Sequence, residues 1–492
     1  MLPWLSVAIF LPLAGATVVL LVPVRTARWV ALLASGAVLV LTCALIAGLD
    51  RTRAGFQLEE RAPWIPSLGA SYHLGVDGLS LPLVVLAALL TLLAVVYSWN
   101  LEDRLRPYLA LFLVLETGLI GTFSVLDLLL FYLFWELSLV PMYFIIGIWG
   151  HEHRRSAALK FFLYTRVGSL AMLLSILALY LATSPRTFDL PAIVAAQPYP
   201  GASVAPSLVL LGFVIAFAIK LPVFPLHSWL PDAHVEAPTA GSVLLAGVLL
   251  KLGGYGFMRI ALPSVPAAFA AWAPPLAVLA VVSAIYGVAV AMAQPSFKRL
   301  VAFSSINHMG YVLLGIAGAA VTGASIEARS AALNGAAVQM VAHGLITGAL
   351  FFLAGMLHDR AGTYEIACFS GLWARLPAYG GLVAFMFFGS LGLPGLAQFV
   401  GEFQIVLGTL GIFPLLAILV LVAVALTTAM FLRTFQRMFL GTPAEPWKYL
   451  PDVNRREALT LGPLALLAVL IGLYPAPLLG TVGASIPGLL GG

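Results

Sequence analysis

The sequence predicts an all-α polytopic membrane protein with about fourteen transmembrane helices. Of its 492 residues, 62% are hydrophobic and only 9% are charged, whereas charged residues make up about a quarter of an ordinary soluble domain. Apolar runs long enough to cross a bilayer follow one another along the chain, separated by short segments with proline, glycine or charge. Two of these runs contain an interruption with proline, which predicts two broken helices. The composition therefore excludes a soluble globular enzyme.

Hydropathy and the punctuation between apolar runs give approximate helix boundaries. We expect helices at 3–23, 29–49, 77–99, 108–125, 128–149, 157–182, 207–230, 239–261, 272–293, 299–320, 330–357, 377–409, 412–438 and 458–482. The segment 50–76 is expected to be a long polar connection, and the proline-rich segment 184–206 is a candidate for a short interfacial helix. The apolar N-terminus has no basic region before it, so we expect a retained first helix rather than a cleaved signal peptide.

Charge and cysteine content narrow the function classes further. The net charge is +5, but the basic residues are scattered over short loops, which does not indicate a nucleic-acid partner. The lipid bilayer is the expected environment. Cys43 and Cys368 have no metal-ligand spacing, so we expect neither a disulfide nor an iron–sulfur cluster in this chain.

The distribution of lysine and arginine predicts the orientation. Connections after odd-numbered helices hold sixteen of the 25 basic residues, and connections after even-numbered helices hold six. Because connections retained in the cytoplasm carry the excess of basic residues, this division predicts that both termini lie outside, in the periplasm or its equivalent.

Helix 7 is expected to break just after a lysine near the middle of the bilayer. Lys220 follows about three turns of apolar residues, where an ionised amine costs roughly 3 kcal/mol or more unless it is paired or hydrated. Pro222 and Pro225 cannot donate hydrogen bonds to the carbonyls of Ala218 and Leu221, so these carbonyls are expected to be bare acceptors that attract water. A lysine that extends to the membrane interface is the alternative interpretation.

Helix 12 carries the second predicted break, with Pro394 between glycines. Two breaks five helices apart predict two inverted five-helix repeats, 108–261 (helices 4–8) and 272–438 (helices 9–13), each broken in its fourth helix. Glu402 is expected to occupy in helix 12 the place that the lysine region holds in helix 7. Water near the freed carbonyl of Ser390 would make Glu402 an exit-side proton acceptor rather than a packing residue.

Few titratable residues lie within the predicted spans, which makes each of them a candidate for ion or proton transfer. Glu136 lies in the middle of helix 5, and its expected partner is a cation from another helix, for which Lys220 is the candidate. A carboxylate that approaches and leaves an amine would change the proton affinity of that amine. The alternative is a static ion pair that fixes helix packing.

A stripe of polar residues lies on helix 8. Lys251, Tyr255 and Arg259 recur every four residues, which places them on one face that leads outward from the middle of the membrane.

Three histidines in the spans are candidates for a proton relay. They are His227, which follows the first break, His308 on helix 10 and His343 on helix 11. Buried histidines can also join helices by hydrogen bonds without any transport role, and this alternative stays open for each.

For four further titratable residues the sequence gives weaker support for a functional role. Glu116 in helix 4 is either functional or paired with a basic group for packing. Asp232, His234 and Glu236 are expected at the membrane surface, in a solvated loop.

Several long motifs occur in order and together resemble one family. They are 131–150, 220–241, 304–310 and 392–402. In these segments the chain resembles the antiporter-like membrane subunits of respiratory complex I, the proton-pumping NADH:quinone oxidoreductase, and among them subunit 4, also called subunit M. The chain has no long C-terminal extension as in subunit 5, and Glu402 stands where subunits 2 and 5 typically have lysine.

The resemblance implies a fold, a function and partners. It implies fourteen helices with inverted repeats and a pumping role for Glu136, Lys220, Lys251 and Glu402. It also implies a bacterial inner membrane location and other membrane and peripheral subunits of complex I as partners. No nucleotide-binding fingerprint follows a strand here, so NADH, FMN, iron–sulfur clusters and quinone are expected on partner subunits.

Two other function classes remain alternatives. The same motifs resemble the large subunits of multisubunit cation/proton antiporters and of membrane-bound hydrogenases. A redox protein that binds haem or quinone through the intramembrane histidines is the other alternative, and it would require two histidines that face each other.

Overall fold

The computed structural model describes residues 3–447 and 449–491. Within these residues, twelve helices are long and apolar enough to cross a membrane, by length and composition. Two further predicted spans, 207–230 and 377–409, are each divided into two shorter helices. The predicted class, an all-α polytopic membrane protein with about fourteen spans of which two are broken, is therefore confirmed.

The helices run as follows, in chain order: α1 Trp4–Leu21, α2 Val24–Ala47, α3 Ser80–Tyr97, α4 Leu105–Ser124, α5 Leu128–Trp149, α6 Arg154–Ala182, α7 Leu190–Ala196, α8 Val204–Lys220, α9 Trp229–Glu236, α10 Thr239–Leu244, α11 Leu250–Gly256, α12 Leu262–Ser264, α13 Pro266–Met292, α14 Phe297–Ala319, α15 Ile326–Ala361, α16 Pro377–Ser390, α17 Ala397–Leu410, α18 Pro414–Phe439, α19 Arg455–Leu473, α20 Ala476–Gly483 and α21 Ile486–Leu490. The short helix α7 confirms the candidate in the segment 184–206.

Three spans form the centre of the molecule. The span Thr239–Ser264 consists of α10, α11 and α12, joined by two π-helical turns, Leu245–Leu249 and Phe257–Ala261. Its apolar stretch and those of α14 and α15 are completely buried inside the protein. Side chains on these three spans therefore contact other helices rather than lipid, and their polar groups must find partners within the protein.

The segment 50–76, expected to be a long polar connection, has regular structure. It contains an antiparallel β-hairpin, with β1 at Gln57–Ile65 and β2 at Ala70–Val76. The backbone N–H of Leu126 donates to the carbonyl of His73 over 2.8 Å, which fixes the hairpin to the connection between α4 and α5. We call the side of the membrane domain that carries β1 and β2 the hairpin face. The opposite side, which carries the connections with the excess of basic residues, is the basic-loop face.

The C-terminal span is shorter than the predicted 458–482. It ends at Leu473, and the two short helices α20 and α21 follow it on the hairpin face. The N–H of Gly78 donates to Ser485 Oγ over 2.8 Å, and a Cβ at Gly78 would collide with the carbonyl of Thr481. Glycine is therefore required where the start of α3 meets α20 and α21.

The first break lies where it was predicted, but its carbonyls are occupied. Helix α8 ends at Lys220 and α9 begins at Trp229. The carbonyl of Ala218, which was expected to be bare, accepts a hydrogen bond from the N–H of Val223 over 2.9 Å. Trp229 Nε1 donates to the carbonyl of Ile219 over 2.9 Å. The protein itself satisfies these acceptors, so the expectation that both freed carbonyls attract water is wrong for Ala218.

The second break repeats the backbone pattern of the first and corrects the position expected for Glu402. The N–H of Leu393 donates to the carbonyl of Phe388 over 3.1 Å, as Val223 does three residues after Lys220. By this register Ser390, the last residue of α16, holds the place of Lys220. Glu402 lies in the second half of the broken helix, well beyond that place.

A histidine between two acids anchors the hairpin outside the membrane spans. His73 Nδ1 lies 2.5 Å from Asp189 Oδ1, and His73 Nε2 lies 3.2 Å from Glu59 Oε2. Arg61 lies 3.6 Å from Asp189. Burial opposes a charge on His73 and would lower its pKa. The hydrogen bonds that His73 donates to Asp189 and Glu59, with the attraction of Asp189, outweigh burial and a smaller opposing effect of Arg61, so the pKa of His73 is raised above 6.5.

This raised pKa predicts that the hairpin loosens as pH rises. The stabilisation is complete below the unfolded-state pKa of 6.5 and is lost as pH rises through the higher folded-state pKa. We expect hydrogen-exchange protection of hairpin amides, corrected for intrinsic rates, to fall as pH rises above about 6.5. In His73→Gln this pH dependence should disappear, whereas His153→Gln, on the other face, should keep it. Constant protection across this range in the wild type would contradict the prediction.

Candidate functional site

Lys251 occupies the centre of the completely buried region. It follows the first π-helical turn, and its Nζ donates a hydrogen bond to the carbonyl of Ala246 within that turn. Nζ also lies 2.7 Å from His343 Nδ1 on α15. A charged lysine is only a donor, so His343 accepts at Nδ1 and carries its own hydrogen on Nε2. The π turn and His343 together satisfy an amine that no lipid or loop reaches.

A series of polar contacts continues from this lysine across the protein. The rings of His343 and His308 meet edge to face, with centroids 5.5 Å apart. His308 Nδ1 lies 2.8 Å from Gln398 Nε2, and His308 Nε2 lies 3.2 Å from Ser390 Oγ. An amide nitrogen can only donate, so Nδ1 of His308 accepts and its Nε2 donates to the serine hydroxyl.

The series ends at Glu402. Gln398 Nε2 donates to Glu402 Oε1 over 3.2 Å, and His308 Nδ1 lies 3.5 Å from the same oxygen. Gln339 Nε2 also donates to Oε1, over 3.4 Å. The glycine of the second break, Gly392, has a φ of 79°, and a Cβ there would collide with Glu402 Oε2. We call Lys251, His343, His308, Gln398 and Glu402 the buried relay.

The carbonyl of Ser390 is part of this arrangement rather than a water site. It was expected to be freed by Pro394, but Gln398 Nε2 lies 2.9 Å from it. The two hydrogens of this amide are shared among the Ser390 carbonyl, His308 Nδ1 and Glu402 Oε1. The second break therefore supplies both its serine hydroxyl and its freed carbonyl to the buried relay.

Lys220 is buried without a hydrogen-bonding partner for Nζ among the described residues. Its ammonium lies over two aromatic rings, 5.4 Å from the centroid of Trp135 and 5.8 Å from that of Phe161. Such cation–π contacts stabilise a desolvated cation only in part. The alternative of a lysine that extends to the interface is therefore wrong.

The predicted pair of Glu136 and Lys220 is not formed in this structure. The cation on Glu136 comes from another helix, as expected, but it is Arg166 of α6, with its Nη1 2.5 Å from Glu136 Oε2. Glu136 Oε1 has no hydrogen-bonding partner in the described part of the chain, and Glu136 attracts the charge of Lys220. The arginine was visible in the sequence as a charge inside helix 6, but no pattern there indicated its partner.

The histidine after the first break lies apart from the buried relay. His227 stacks on Phe224 and meets Tyr286 edge to face, with ring centroids 5.8 Å and 5.0 Å away. Its Nδ1 has no hydrogen-bonding partner among the described residues.

The surface position expected for His234 and Glu236 is wrong. His234 is completely buried and stacks on Phe351 with centroids 4.5 Å apart. Glu236 is also buried, and its Oε2 accepts from the N–H of His153 over 2.8 Å. Only Asp232 is partly exposed as expected, in a 2.7 Å pair with Lys160. The break turns α9 back into the protein. These residues therefore lie on a buried helix and not in a loop.

Lys298 is a further buried cation, although the sequence alone placed it in a loop. Its Nζ donates to the carbonyl of Ala237 over 2.6 Å, at the C-terminal end of α9, where a helix favours positive charge. The positive charges of Lys298 and Lys251 both act on His234 and disfavour a positive charge on its ring. Lys298 thus stands between the basic-loop face and the buried relay.

A cavity of about 330 Å³ opens beside Lys298 on the basic-loop face. Its polar lining includes His151, His358, Asp359 and Tyr364. The ring of Tyr364 lies 5.0 Å from Lys298 Nζ. The cavity is large enough to hold several water molecules next to this buried cation.

Glu116 has no basic partner in the described residues. It is completely buried in α4, and neither carboxylate oxygen has a hydrogen bond there. Of the two alternatives for Glu116, the packing ion pair is therefore wrong.

The chain is similar over nearly its whole length to known proteins. Residues 125–428 match the family described as NADH:quinone oxidoreductase/Mrp antiporter, TM. NADH-quinone oxidoreductase subunit M of Rhodobacter capsulatus is 41% identical over 504 residues, which cover 99% of this chain and 96% of that protein. NAD(P)H-quinone oxidoreductase chain 4 1 of Synechococcus elongatus is 41% identical over 486 residues, covering 96% and 89%.

Solved structures agree with this relationship. A chain of respiratory complex I from Thermus thermophilus with bound NADH superposes with a TM-score of 0.89 at 34% identity, covering 99% of this chain and 100% of that one. A chain of the Mrp complex from a Dietzia species shares the fold, with a TM-score of 0.82 at 22% identity, covering 98% of this chain and 52% of that one. This chain belongs to the NADH:quinone oxidoreductase/Mrp antiporter family, and within it to the group of NADH-quinone oxidoreductase subunit M.

Proposed function

We propose that this chain is the proton-translocating membrane subunit M of NADH:quinone oxidoreductase, driven by quinone reduction elsewhere in the complex. The observation that carries the proposal is the buried relay, in which an amine, two imidazoles, an amide and a carboxylate follow one another through an otherwise apolar core. Identity of about 40% over the full length to proteins named subunit M supports this function over that of a cation/proton antiporter.

Protons enter the buried relay from the basic-loop face in this proposal. The cavity beside Lys298 supplies water, and the fields of Lys298 and Lys251 meet at His234. From Lys251 a proton passes to His343 Nδ1, and release from Nε2 towards His308 requires one bridging water or a ring rotation. Gln398 then holds His308 and Glu402 within reach of each other.

Lys220, Glu136 and Arg166 provide the switch in this proposal. Glu136 bonds Arg166 through one oxygen, and its other oxygen has no hydrogen-bonding partner in the part of the chain that the structure describes, so a movement of the carboxylate can exchange Arg166 for Lys220 as its partner. Leaving an amine unpaired in the membrane costs roughly 3 kcal/mol or more. Moving one proton against about 180 mV costs about 4 kcal/mol. The two free energies are comparable, so the exchange can drive one transfer.

The remaining assignments complete the proposal. The matching hydrogen bonds at the two breaks support inverted repeats at 108–261 and 272–438. NADH, FMN, iron–sulfur clusters and quinone are assigned to partner subunits. The location is the bacterial inner membrane, with both termini in the periplasm, because the basic residues favour the opposite face.

A haem between the buried histidines is not favoured by the geometry. His308 and His343 contact each other directly, which leaves no gap for a porphyrin iron between them.

Replacing Lys220 by methionine should give a stable but inactive complex. Nζ has no hydrogen bond to any described residue, so removing its charge should not weaken the fold. We expect the rate of NADH-driven proton uptake, measured in inverted membrane vesicles, to fall at least about tenfold. Lys160→Met, which removes a half-exposed lysine paired with Asp232, is the matched control and should pump normally. Wild-type pumping by intact Lys220→Met complex would exclude Lys220 from the switch.

Glu402 should tolerate aspartate better than glutamine. Aspartate keeps an acid beside Gln398 and His308, whereas glutamine keeps the volume and hydrogen bonding but cannot exchange a proton. We expect partial pumping in Glu402→Asp and a loss of about tenfold or more in Glu402→Gln, measured as above on complexes shown to be assembled. If assembled Glu402→Gln complex pumps as well as the wild type, the carboxylate is structural and the buried relay ends at His308.

The orientation can be tested by labelling cysteines with an impermeant reagent. In a background with Cys43 and Cys368 replaced by serine, a cysteine appended after residue 492 should react in intact cells. His153→Cys, on the basic-loop face, should react only after permeabilisation. The reverse pattern would show that the basic residues mispredict the topology.

A further inference from the structure

A buried ion pair closes the hairpin face above the buried relay. Arg259 lies in the second π-helical turn of the span Thr239–Ser264, and its Nη2 bonds Asp77 Oδ2. Both side chains are buried. Asp77 also accepts from the N–H groups of Leu79 and Ser80, over 3.1 Å and 3.0 Å, at the start of α3.

A cavity of about 270 Å³ lies directly outside this pair. Asp77 and Arg259 form part of its wall, together with Phe56 of the hairpin segment and Ser485 between α20 and α21. The Arg259 guanidinium lies 4.9 Å from the ring of Phe56, and Arg259 Nε has no hydrogen-bonding partner in the described residues. The guanidinium therefore contacts the ring of Phe56 while it is paired with Asp77, and this contact can hold the cation when the pair opens.

The ion pair lies in line with the buried relay. Tyr255 stands one turn from Lys251 and one turn from Arg259, on the same face of the span. Its ring lies 5.7 Å from the Arg259 guanidinium, and its hydroxyl donates to the carbonyl of Phe123 over 3.1 Å. Lys251, Tyr255 and Arg259 thus connect the relay to the cavity on the hairpin face.

We propose that the Asp77–Arg259 ion pair is a valve that separates Lys251 from the hairpin face and opens to release protons there, as a second outlet besides the one at Glu402 at the far end of the buried relay. When the pair opens, Arg259 keeps its contact with Phe56 and releases Asp77, and the Asp77 carboxylate accepts one proton that leaves Lys251 through water beside Tyr255. Asp77 then gives this proton to water in the cavity, and the pair forms again. The guanidinium stays protonated throughout and repels protons that would return.

This proposal rests on the proposed function, and a purely structural ion pair is its alternative. A structural pair would fix the start of α3 to the end of the span Thr239–Ser264, so its loss would destabilise the protein without making a proton path. A valve predicts a different result, because its loss connects the buried relay to the hairpin face. Passive proton leak separates the two.

The test uses purified complex reconstituted into phospholipid vesicles, with proton leak measured after an imposed pH difference and without NADH. Arg259→Gln should raise the leak about tenfold, whereas Arg259→Lys, which keeps the charge, should stay near the wild-type rate. Asp77→Asn, which keeps the shape of the side chain, should also leak. Arg61→Gln, on the same face in a more exposed pair with Asp189, is the matched control and should not leak.

A second substitution shows whether the leak uses the buried relay. Lys251→Met added to Arg259→Gln should return the leak to the wild-type rate. Equal leak in the single and double variants would mean damaged packing and would overturn the valve, as would wild-type tightness of both assembled Arg259→Gln and Asp77→Asn. The proposed function fails separately, if assembled Lys251→Met complex pumps normally.

Discussion

The hydrogen bond between Lys251 and His343 is the interaction on which the rest of the structure depends. It joins a lysine of the first proposed repeat to a histidine of the second, at a depth where neither lipid nor bulk water can satisfy an amine. Three spans are enclosed by other helices, which shield this contact from lipid, and a π-helical turn adds a carbonyl to it. The outer helices and the hairpin maintain that enclosure.

The two broken helices solve the same backbone problem and serve different purposes. Each break leaves carbonyls without their helical donors. In each break, the N–H group three residues after the last helical residue donates to the carbonyl five residues before it. At that last residue the first break has Lys220, which faces aromatic rings, and the second has Ser390, which faces His308. One break therefore positions an unpaired charge and the other completes a hydrogen-bonded series.

Sequence alone predicted the helices, both breaks and most of the relay, because hydropathy and intramembrane charge are local signals. Lys251, His308, His343 and Glu402 were identified as intramembrane polar residues. It did not predict that Arg166 pairs with Glu136 or that His234 is buried, because both depend on how α6 and α9 pack after the break. The hairpin was missed because its strands carry exposed charges that resemble an irregular connection.

The complete enclosure of the three central spans has a consequence for biogenesis. The span Thr239–Ser264 has a mean hydropathy of only 1.5 and carries the buried cation Lys251 near its middle. A helix with such a residue inserts poorly by itself, because a charge near its centre disfavours partition into lipid. Its neighbouring helices must therefore be present to receive it. Assembly of the subunit is then ordered by its polar core, and the residues suited to transport also make the nascent chain dependent on its neighbours.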